Sequence, residues 1–327
     1  MSEIRDLITE DLAFLKEKNI VVYFTVASTS GNTGNYLTPI RKFGDTAILG
    51  LVSSDINVLY DVMPCVGDLA DFIFVDVEKK LHPILNGGEE IESNNFLHTV
   101  KQILPERTIY PFTPNDITVQ SIWNQVIKDI IDLKNAVVFL IGLGNIGAKI
   151  ALRLAETGCK VVVKSRTDGY KVYHTVEALN RVKHAGAIGE ISVVNSFEKG
   201  LLVADIVIFA ANAKNVLDNK FVGVLKSKHR LVGVSRDNIN QMDLKELPNY
   251  MSIDVGVELM HTLKSIVFQF ERKSSRHRLG SEFKYVGSGL FDDSEVVYDY
   301  GAQQYVGGQF IKGKFKRLSA KELYDVE

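Results

Sequence analysis

Three glycines at fixed spacing carry the strongest chemical signal in this chain: Val137-Val-Phe-Leu-Ile-Gly142-Leu-Gly144-Asn-Ile-Gly147. With 25 glycines in 327 residues, a G-x-G-x-x-G spacing arises by chance about 0.14 times per chain, so context decides. The triplet follows an apolar run and opens a segment of helical period, and a second apolar run, Lys160 to Lys164, comes next. Each glycine then has a separate task. Gly142 makes the tight turn, Gly144 lets the backbone approach a pyrophosphate, and Gly147 lets the helix pack close to the strand. The N–H groups of the helix start, at Asn145 and Ile146, would hold the diphosphate. The other reading is a strand-to-helix turn that merely needs glycines.

About 20 positions further on, a residue at the end of the second strand meets the adenosine ribose. The chain there reads Val163-Lys164-Ser165-Arg166-Thr167-Asp168. A carboxylate at that strand end would accept bonds from both ribose hydroxyls and repel a 2′-phosphate. Ser165 and Arg166 do the reverse, offering a hydroxyl and a guanidinium that stacks on adenine and pairs with phosphate. NADP is therefore expected over NAD, with NAD kept open because a small loop shift would let Asp168 serve the ribose. Ala210, Ala211 and Asn212 end a later strand with small side chains that let the backbone pass close to a nicotinamide ribose. Gly233-Val-Ser-Arg-Asp237 ends the next one, near where a nicotinamide should lie.

The substrate candidate is the polar loop after the first apolar strand, Ser28-Thr-Ser-Gly-Asn-Thr-Gly-Asn35. Ser30, Asn32, Thr33 and Asn35 offer hydroxyls, amides and backbone N–H groups suited to a carboxylate or phosphate; a plain polar turn is the alternative. His261 lies in an apolar helical stretch and reads as a packing residue. Arg272-Lys-Ser-Ser-Arg-His-Arg278 is a basic knot that reads as a solvated helix end. No H-x-H or H-x-x-x-H pattern appears, and Cys65 and Cys159 alone cannot build a thiolate metal site or a disulfide framework, so no metal is expected.

The elements that must position these residues alternate helix and strand. Ile4, Leu7, Ile8, Leu12 and Leu15 mark an amphipathic first helix ending near Lys18-Asn19. Ile20 to Val26, Thr46 to Leu51 and Ala70 to Val77 read as strands, with a helix ending near Phe43 and a short one at Val58 to Met63 between them. Ser93 is placed as the cap of a helix through Leu104. Pro105, Pro111 and Pro114 are expected to break any regular element, which puts the domain crossover at Thr108 to Pro114. A connecting helix then starts at Ile117 or later. From Asn135, six strands separated by helices in about 120 residues predict a doubly wound sheet.

A long apolar helix spans Gly256 to Phe270, with Leu259, Leu263, Ile266, Val267 and Phe270 on its buried face. Short strands are placed at Phe283 to Val286, Val296 to Tyr300 and Gln309 to Phe315. The fold class is thus α/β, a Rossmann doubly wound parallel sheet plus a smaller α/β N-terminal domain and a β-rich C-terminal extension. The expected domains are 1–112, completed by the helix 256–275; 115–254, the dinucleotide domain; and 280–327, the extension, which would cover a sheet edge or join a second subunit.

This layout resembles the two-domain dehydrogenases that include shikimate dehydrogenase, methylene-tetrahydrofolate dehydrogenase and the pyrrolysine-pathway dehydrogenase. Ser165-Arg166-Thr167 is similar to the Asn-Arg-Thr that reads NADP in shikimate dehydrogenases. Asn115-Asp116 lies close to where that group carries its catalytic aspartate. Its Asn-Val-Thr-x-Pro-x-Lys is at best echoed by Leu37-Thr-Pro-Ile-Arg-Lys42, and the loop Ser30 to Asn35 resembles the first-domain stretch of the pyrrolysine enzyme. The resemblance implies an NAD(P)-dependent oxidoreductase moving a hydride to or from a small polar metabolite in the interdomain cleft. Asp116 and Lys42 are its candidate acid–base residues, although Asp116 also reads as a helix N-cap and Lys42 as a solvated lysine near a helix end. A lyase or cyclase using tightly bound NAD, and a non-catalytic dinucleotide sensor or scaffold, stay open.

Composition sets the remaining bounds. Lys plus Arg is 38 against 40 Asp plus Glu, which gives no general attraction to nucleic acid or anionic lipid. No apolar run approaches the ~20 residues of a membrane span, and the start is too charged for a signal peptide. A cytoplasmic homodimer with a small-molecule substrate is expected.

Overall fold

Alternation of buried apolar runs with amphipathic helices produces two compact units in this computed structural model, Met1–Pro114 with Gly256–Glu327, and Asn115–Val255. The structure describes residues 2–29, 34–78, 85–86, 89–90, 95–127, 133–165, 169–211, 216, 219–228, 230–234, 247, 249–272, 298–299, 304–311, 314–317 and 321.

The first unit begins with α1 (Ser2–Glu17), whose Ile8, Leu12 and Leu15 are fully buried. It stops at Asn19, which takes φ +56°. The Ile20 N–H returns to the Leu15 carbonyl and the Asn19 N–H to Lys16, the left-handed cap that turns the chain into the sheet. Strands β1 (Val21–Ser28), β2 (Tyr36–Leu37), β3 (Ile40–Phe43), β4 (Thr46–Ser53), β5 (Phe72–Asp76) and β8 (Ile109–Phe112) form its sheet, with a two-stranded piece β6 (Leu85–Asn86) and β7 (Glu89–Glu90) apart from it. β4, β1, β5 and β8 run parallel in that order. Val22, Phe24 and Val26 alternate onto one face, where α1, α2 (Asn57–Leu69) and α3 (Phe96–Ile103) cover them. The opposite face carries an aromatic ladder of Phe72, Tyr23, Phe74 and Tyr110, with centroids 4.9 to 6.0 Å apart.

The second unit holds α4 (Pro114–Ile127), β9 (Val137–Ile141), α5 (Asn145–Glu156), β10 (Lys160–Lys164), α6 (Tyr170–Val182), β11 (Glu190–Val193), α7 (Phe197–Val203), β12 (Ile206–Phe209), α8 (Val222–Lys226), β13 (Arg230–Gly233) and β14 (Tyr250–Ser252). Its six strands are all parallel in the order β11-β10-β9-β12-β13-β14. Counted from β9 this is 3-2-1-4-5-6, the doubly wound order with its switch point between β9 and β12. Val138 and Leu140 face one layer and Phe139 and Ile141 the other, so the strand is buried on both sides and reads as one apolar run.

Helix α9 (Gly256–Arg272) returns to the first unit. Its buried apolar side chains are Val257, Met260, Leu263 and Val267, while Phe270 is 39% exposed and meets Tyr110 edge-on at 5.2 Å. The buried stripe is therefore turned from the expected one toward Met260. Strands β15 (Tyr298–Asp299), β16 (Gln304–Ile311) and β17 (Lys314–Arg317) end the described chain. β16 runs antiparallel to β3, with Val306 opposite Arg41 and Gly307 opposite Ile40, and so extends the first sheet past its β3 edge.

Several expectations are corrected. No helix ends near Phe43: Tyr36–Leu37 and Ile40–Phe43 are strands, because Gly44, at φ +63°, and Asp45 form a two-residue turn that pairs Phe43 with Thr46. Pro111 does not break the chain but sits inside edge strand β8. The Phe112 carbonyl accepts the Val77 N–H, so strand alternation turns the Pro111 nitrogen outward, where no donor is needed. Helix α4 starts at Pro114, three residues before the expected limit, since proline fits the first helical turn. Helix α3 is capped by Asn95, whose side chain accepts the His98 N–H; Ser93 lies outside the described residues. Gln309 to Phe315 is the junction of two antiparallel strands, β16 and β17, and Phe283 to Val286 lies outside the described residues.

The buried Cys159 thiol donates to the Leu133 carbonyl at 3.1 Å. Loss of solvation raises its pKa above the ordinary thiol value. The folded state thus favours the neutral thiol. The resulting stability is full below the ordinary thiol pKa and is lost as pH rises through the shifted value. At pH 8 a thiol reagent is expected to label half-buried Cys65 while Cys159 resists until denaturant is added; equal labelling rates would contradict this.

Candidate functional site

The glycine turn lies at the carboxyl end of β9. Gly142 takes φ +102°, and a Cβ there would stand 2.8 Å from the backbone of Ala210 and Ala211. Its N–H donates to the Lys164 carbonyl at 2.8 Å, and the Ala210 N–H donates to Ile141 at 2.8 Å. The ends of β10, β9 and β12 are thereby drawn together around the turn. A Cβ at Gly147 would overlap the Gly142 carbonyl oxygen, so the helix approaches its own strand only without a side chain. Gly144 differs from both, since a Cβ there meets nothing within 4 Å. Space over that backbone is open.

Gly144 is the N-cap of α5 and offers no side-chain cap. The helical ladder starts with the Ala148 N–H on the Gly144 carbonyl at 2.8 Å, and the earlier N–H groups of the turn, those of Asn145, Ile146 and Gly147, have no acceptor inside the helix. Asn145 is exposed and Ile146 half-buried. A cradle without side chains, facing uncapped N–H groups at the positive end of a twelve-residue helix, fits an anionic diphosphate in shape and in charge.

Ser165 follows β10 directly and is half-buried; Arg166, Thr167 and Asp168 lie outside the described residues, as does Asn212. The structure thus brings Gly142, Gly147, Ser165, Ala210 and Ala211 to one edge of the sheet, four of them packed together around the turn. Asp116 lies inside the first turn of α4 rather than ahead of it, which replaces the N-cap reading. Its carboxylate accepts from Lys149 Nζ of α5 at 2.6 Å. Asp116 is exposed and Lys149 partly so, and Asp116→Asn is therefore expected to lower stability by less than about 1 kcal/mol in a urea titration, and by less still in salt. A larger loss would mean that this pair anchors α4.

In the first unit, Ser30, Asn32 and Thr33 lie outside the described residues. Asn35 is half-buried, and its side-chain carbonyl accepts the Ser53 hydroxyl at 2.5 Å. Lys42 stands in β3 opposite Ala47, so it belongs to a strand and not to a helix end. Sequence reasoning missed the polar ends of this sheet. Ser28 closes β1, Ser53 closes β4 and Asp76 closes β5, all three buried. Asp76 accepts the Ser28 N–H at 3.1 Å, the Ser28 hydroxyl at 2.9 Å and the Glu78 N–H at 2.7 Å. Thr29 donates its N–H to the Ser53 carbonyl at 3.0 Å. The available signal was three apolar strands that each end on a polar residue.

Among the described residues, no three His, Cys, Asp or Glu side chains gather as a metal site, and no helix is long and apolar enough to cross a membrane. No family model matches the chain, and no curated protein matches it. Similar solved structures include the hetero-hexameric glutamate dehydrogenase of Thermus thermophilus, at 13% identity over 80% of this chain and 71% of that one, with a TM-score of 0.45. L-tryptophan dehydrogenase from Nostoc punctiforme is similar at 14% identity over 77% and 75%, TM-score 0.44. A mitochondrial ornithine carbamoyltransferase from Coccidioides immitis is similar at 9% over 80% and 93%, TM-score 0.42. Likeness at this level says nothing of activity, since dehydrogenases and a carbamoyltransferase share it.

Proposed function

We propose that the second unit binds a pyridine dinucleotide and that the protein is an NAD(P)-dependent oxidoreductase acting on a small polar metabolite. The observation that carries this reading is the glycine turn at the switch point, with Gly142 and Gly147 closed by contact and Gly144 open above the uncapped start of α5. Asn145, Ile146 and Gly147 would give N–H groups to the diphosphate, Ala210 and Ala211 would pass close to the nicotinamide ribose, and Ser165 with Arg166 and Thr167 would meet the adenosine 2′-position. The last set favours NADP. When bound, the nicotinamide supplies the hydride chemistry. The chain's own share is to hold the dinucleotide, exclude water and move a proton near the reacting carbon.

Asp116 or Lys42 is the proposed acid–base residue, and the loop holding Ser30, Asn32, Thr33 and Asn35 the proposed substrate segment. The motif similarity of Ser165-Arg166-Thr167 supports a place beside the shikimate dehydrogenase group, with a 2-oxo or hydroxy acid, amino acid or imine as substrate class. One observation favours a non-catalytic sensor instead: Asp116 is engaged by Lys149.

Titration with NADPH and NADH tests the binding. Loss of reduced-nicotinamide absorbance on adding 2-oxo acids, imines or cyclic ketones tests turnover, repeated with Asp116→Asn and Lys42→Met. Saturable binding without turnover across the panel would leave the sensor, and no binding of either nucleotide would end both readings. A homodimer is part of the proposal, and a monomeric sedimentation profile at micromolar concentration would count against it.

A further inference from the structure

Helix α4 buries the polar side chains of Ser121, Asn124 and Gln125, and the first two find partners within the helix. The Ser121 hydroxyl donates to the Ile117 carbonyl one turn back at 3.0 Å, and Asn124 Oδ1 accepts from Gln120 Nε2 at 2.8 Å. Gln125 is the exception. It is 0% exposed, and among the described residues neither Oε1 nor Nε2 of its amide has a hydrogen-bond partner. Buried polar groups in native proteins are almost always bonded, so an amide orphaned at both ends calls for a group that meets it.

The packing around Gln125 holds the amide where it is. Val119, Ile122 and Val126 of the same helix join Val138 and Val232 in one core, which fixes α4 on the sheet. Arg230, the first residue of β13 and itself buried, donates through Nη1 to the Gln125 main-chain carbonyl. The last turn of α4 is thereby pinned to the amino end of β13, the end of the sheet away from the glycine turn. A leucine or methionine would fill this position without any polar demand, so the glutamine itself needs a reason.

The chemistry of the amide selects its partner. Oε1 needs a donor and Nε2–H needs an acceptor. An anion would answer only Nε2, and a metal cation only Oε1. A water molecule answers both, since it donates a hydrogen to Oε1 while its oxygen accepts from Nε2, and holding it costs less than leaving the amide bare. We infer that Gln125 is the binding site of one internal water molecule, a fixed constituent of the second unit. The site is remote from the proposed dinucleotide turn and is independent of whether a dinucleotide binds there.

Gln125→Met keeps the length of the side chain and removes both polar atoms. Magnetic relaxation dispersion of the water oxygen counts internal waters that stay longer than the molecule takes to tumble. The variant should hold one long-lived water fewer per chain than the wild type, with a cooperative urea transition as the check on folding. A crystal structure of the wild type should place a solvent oxygen about 2.7–3.2 Å from both Oε1 and Nε2, and that of the variant should lack it. Equal water counts in the two folded proteins overturn the assignment. So does wild-type density in which the amide bonds directly to protein groups or meets no solvent oxygen, and this measurement decides alone if the variant does not fold.

Discussion

Replacing Gly144 with alanine is expected to weaken pyridine-nucleotide binding tenfold or more, about 1.4 kcal/mol, while the protein unfolds in urea almost as before. The added methyl meets nothing in the protein, and an alanine in place of glycine at a helix N-cap costs less than about 1 kcal/mol. It would occupy the space into which a diphosphate must descend. Gly147→Ala should behave in the opposite sense. Its methyl would overlap the Gly142 carbonyl, so α5 must move off β9, at a cost of about 2–4 kcal/mol. Measuring nucleotide affinity and the urea midpoint on both variants separates the two roles. If Gly144→Ala binds as tightly as the wild type, or if it loses stability to the same degree as Gly147→Ala, the turn is a packing device and not a cradle.

Asp76→Ala should be the most damaging single change in the first unit, with a loss of about 3–5 kcal/mol. The buried carboxylate takes two backbone N–H groups and a hydroxyl from Ser28 and Glu78. Removing it leaves the buried Ser28 N–H and the part-buried Glu78 N–H without their acceptor, each worth about 1–3 kcal/mol, while the Ser28 hydroxyl keeps the Glu78 carbonyl at 3.2 Å. Asp76→Asn retains one acceptor oxygen and turns an amide against donors, so it should fall between alanine and wild type. Hydrogen exchange would place the loss: the Ser28 and Glu78 amides should exchange fast in both variants while those of β9 and β10 keep their protection. A loss below about 0.5 kcal/mol for alanine would show that Asp76 does not clamp β1 to β5.

The doubly wound unit was legible because its strands are buried on both faces. Val138 to Ile141 and Val161 to Val163 therefore form unbroken apolar runs, and glycines with separate duties mark the turn between strand and helix. The segment 36–43 was not legible, because its few apolar residues suit either period and only the Gly44-Asp45 dipeptide betrays the hairpin. Pro111 misled for a related reason: a proline forbids an interior strand, but nothing in the sequence tells that β8 is the outermost one. Of the candidate site, the glycine turn was readable from types and spacing alone. The Ser28–Asp76 clamp was hidden, because its partners stand 48 residues apart.

The first unit is assembled from both sides of the second in sequence, and this sets an order on biosynthesis. A ribosome delivers β1 to β8, then every residue of the doubly wound unit, and only afterwards helix α9 and strand β16. For that interval β3 offers unclaimed peptide groups along its free side, the kind of surface that invites another nascent chain. Arg41 and Lys42, two cations on a strand of four residues, put charge on that border while it waits for the late-made strand to seal it.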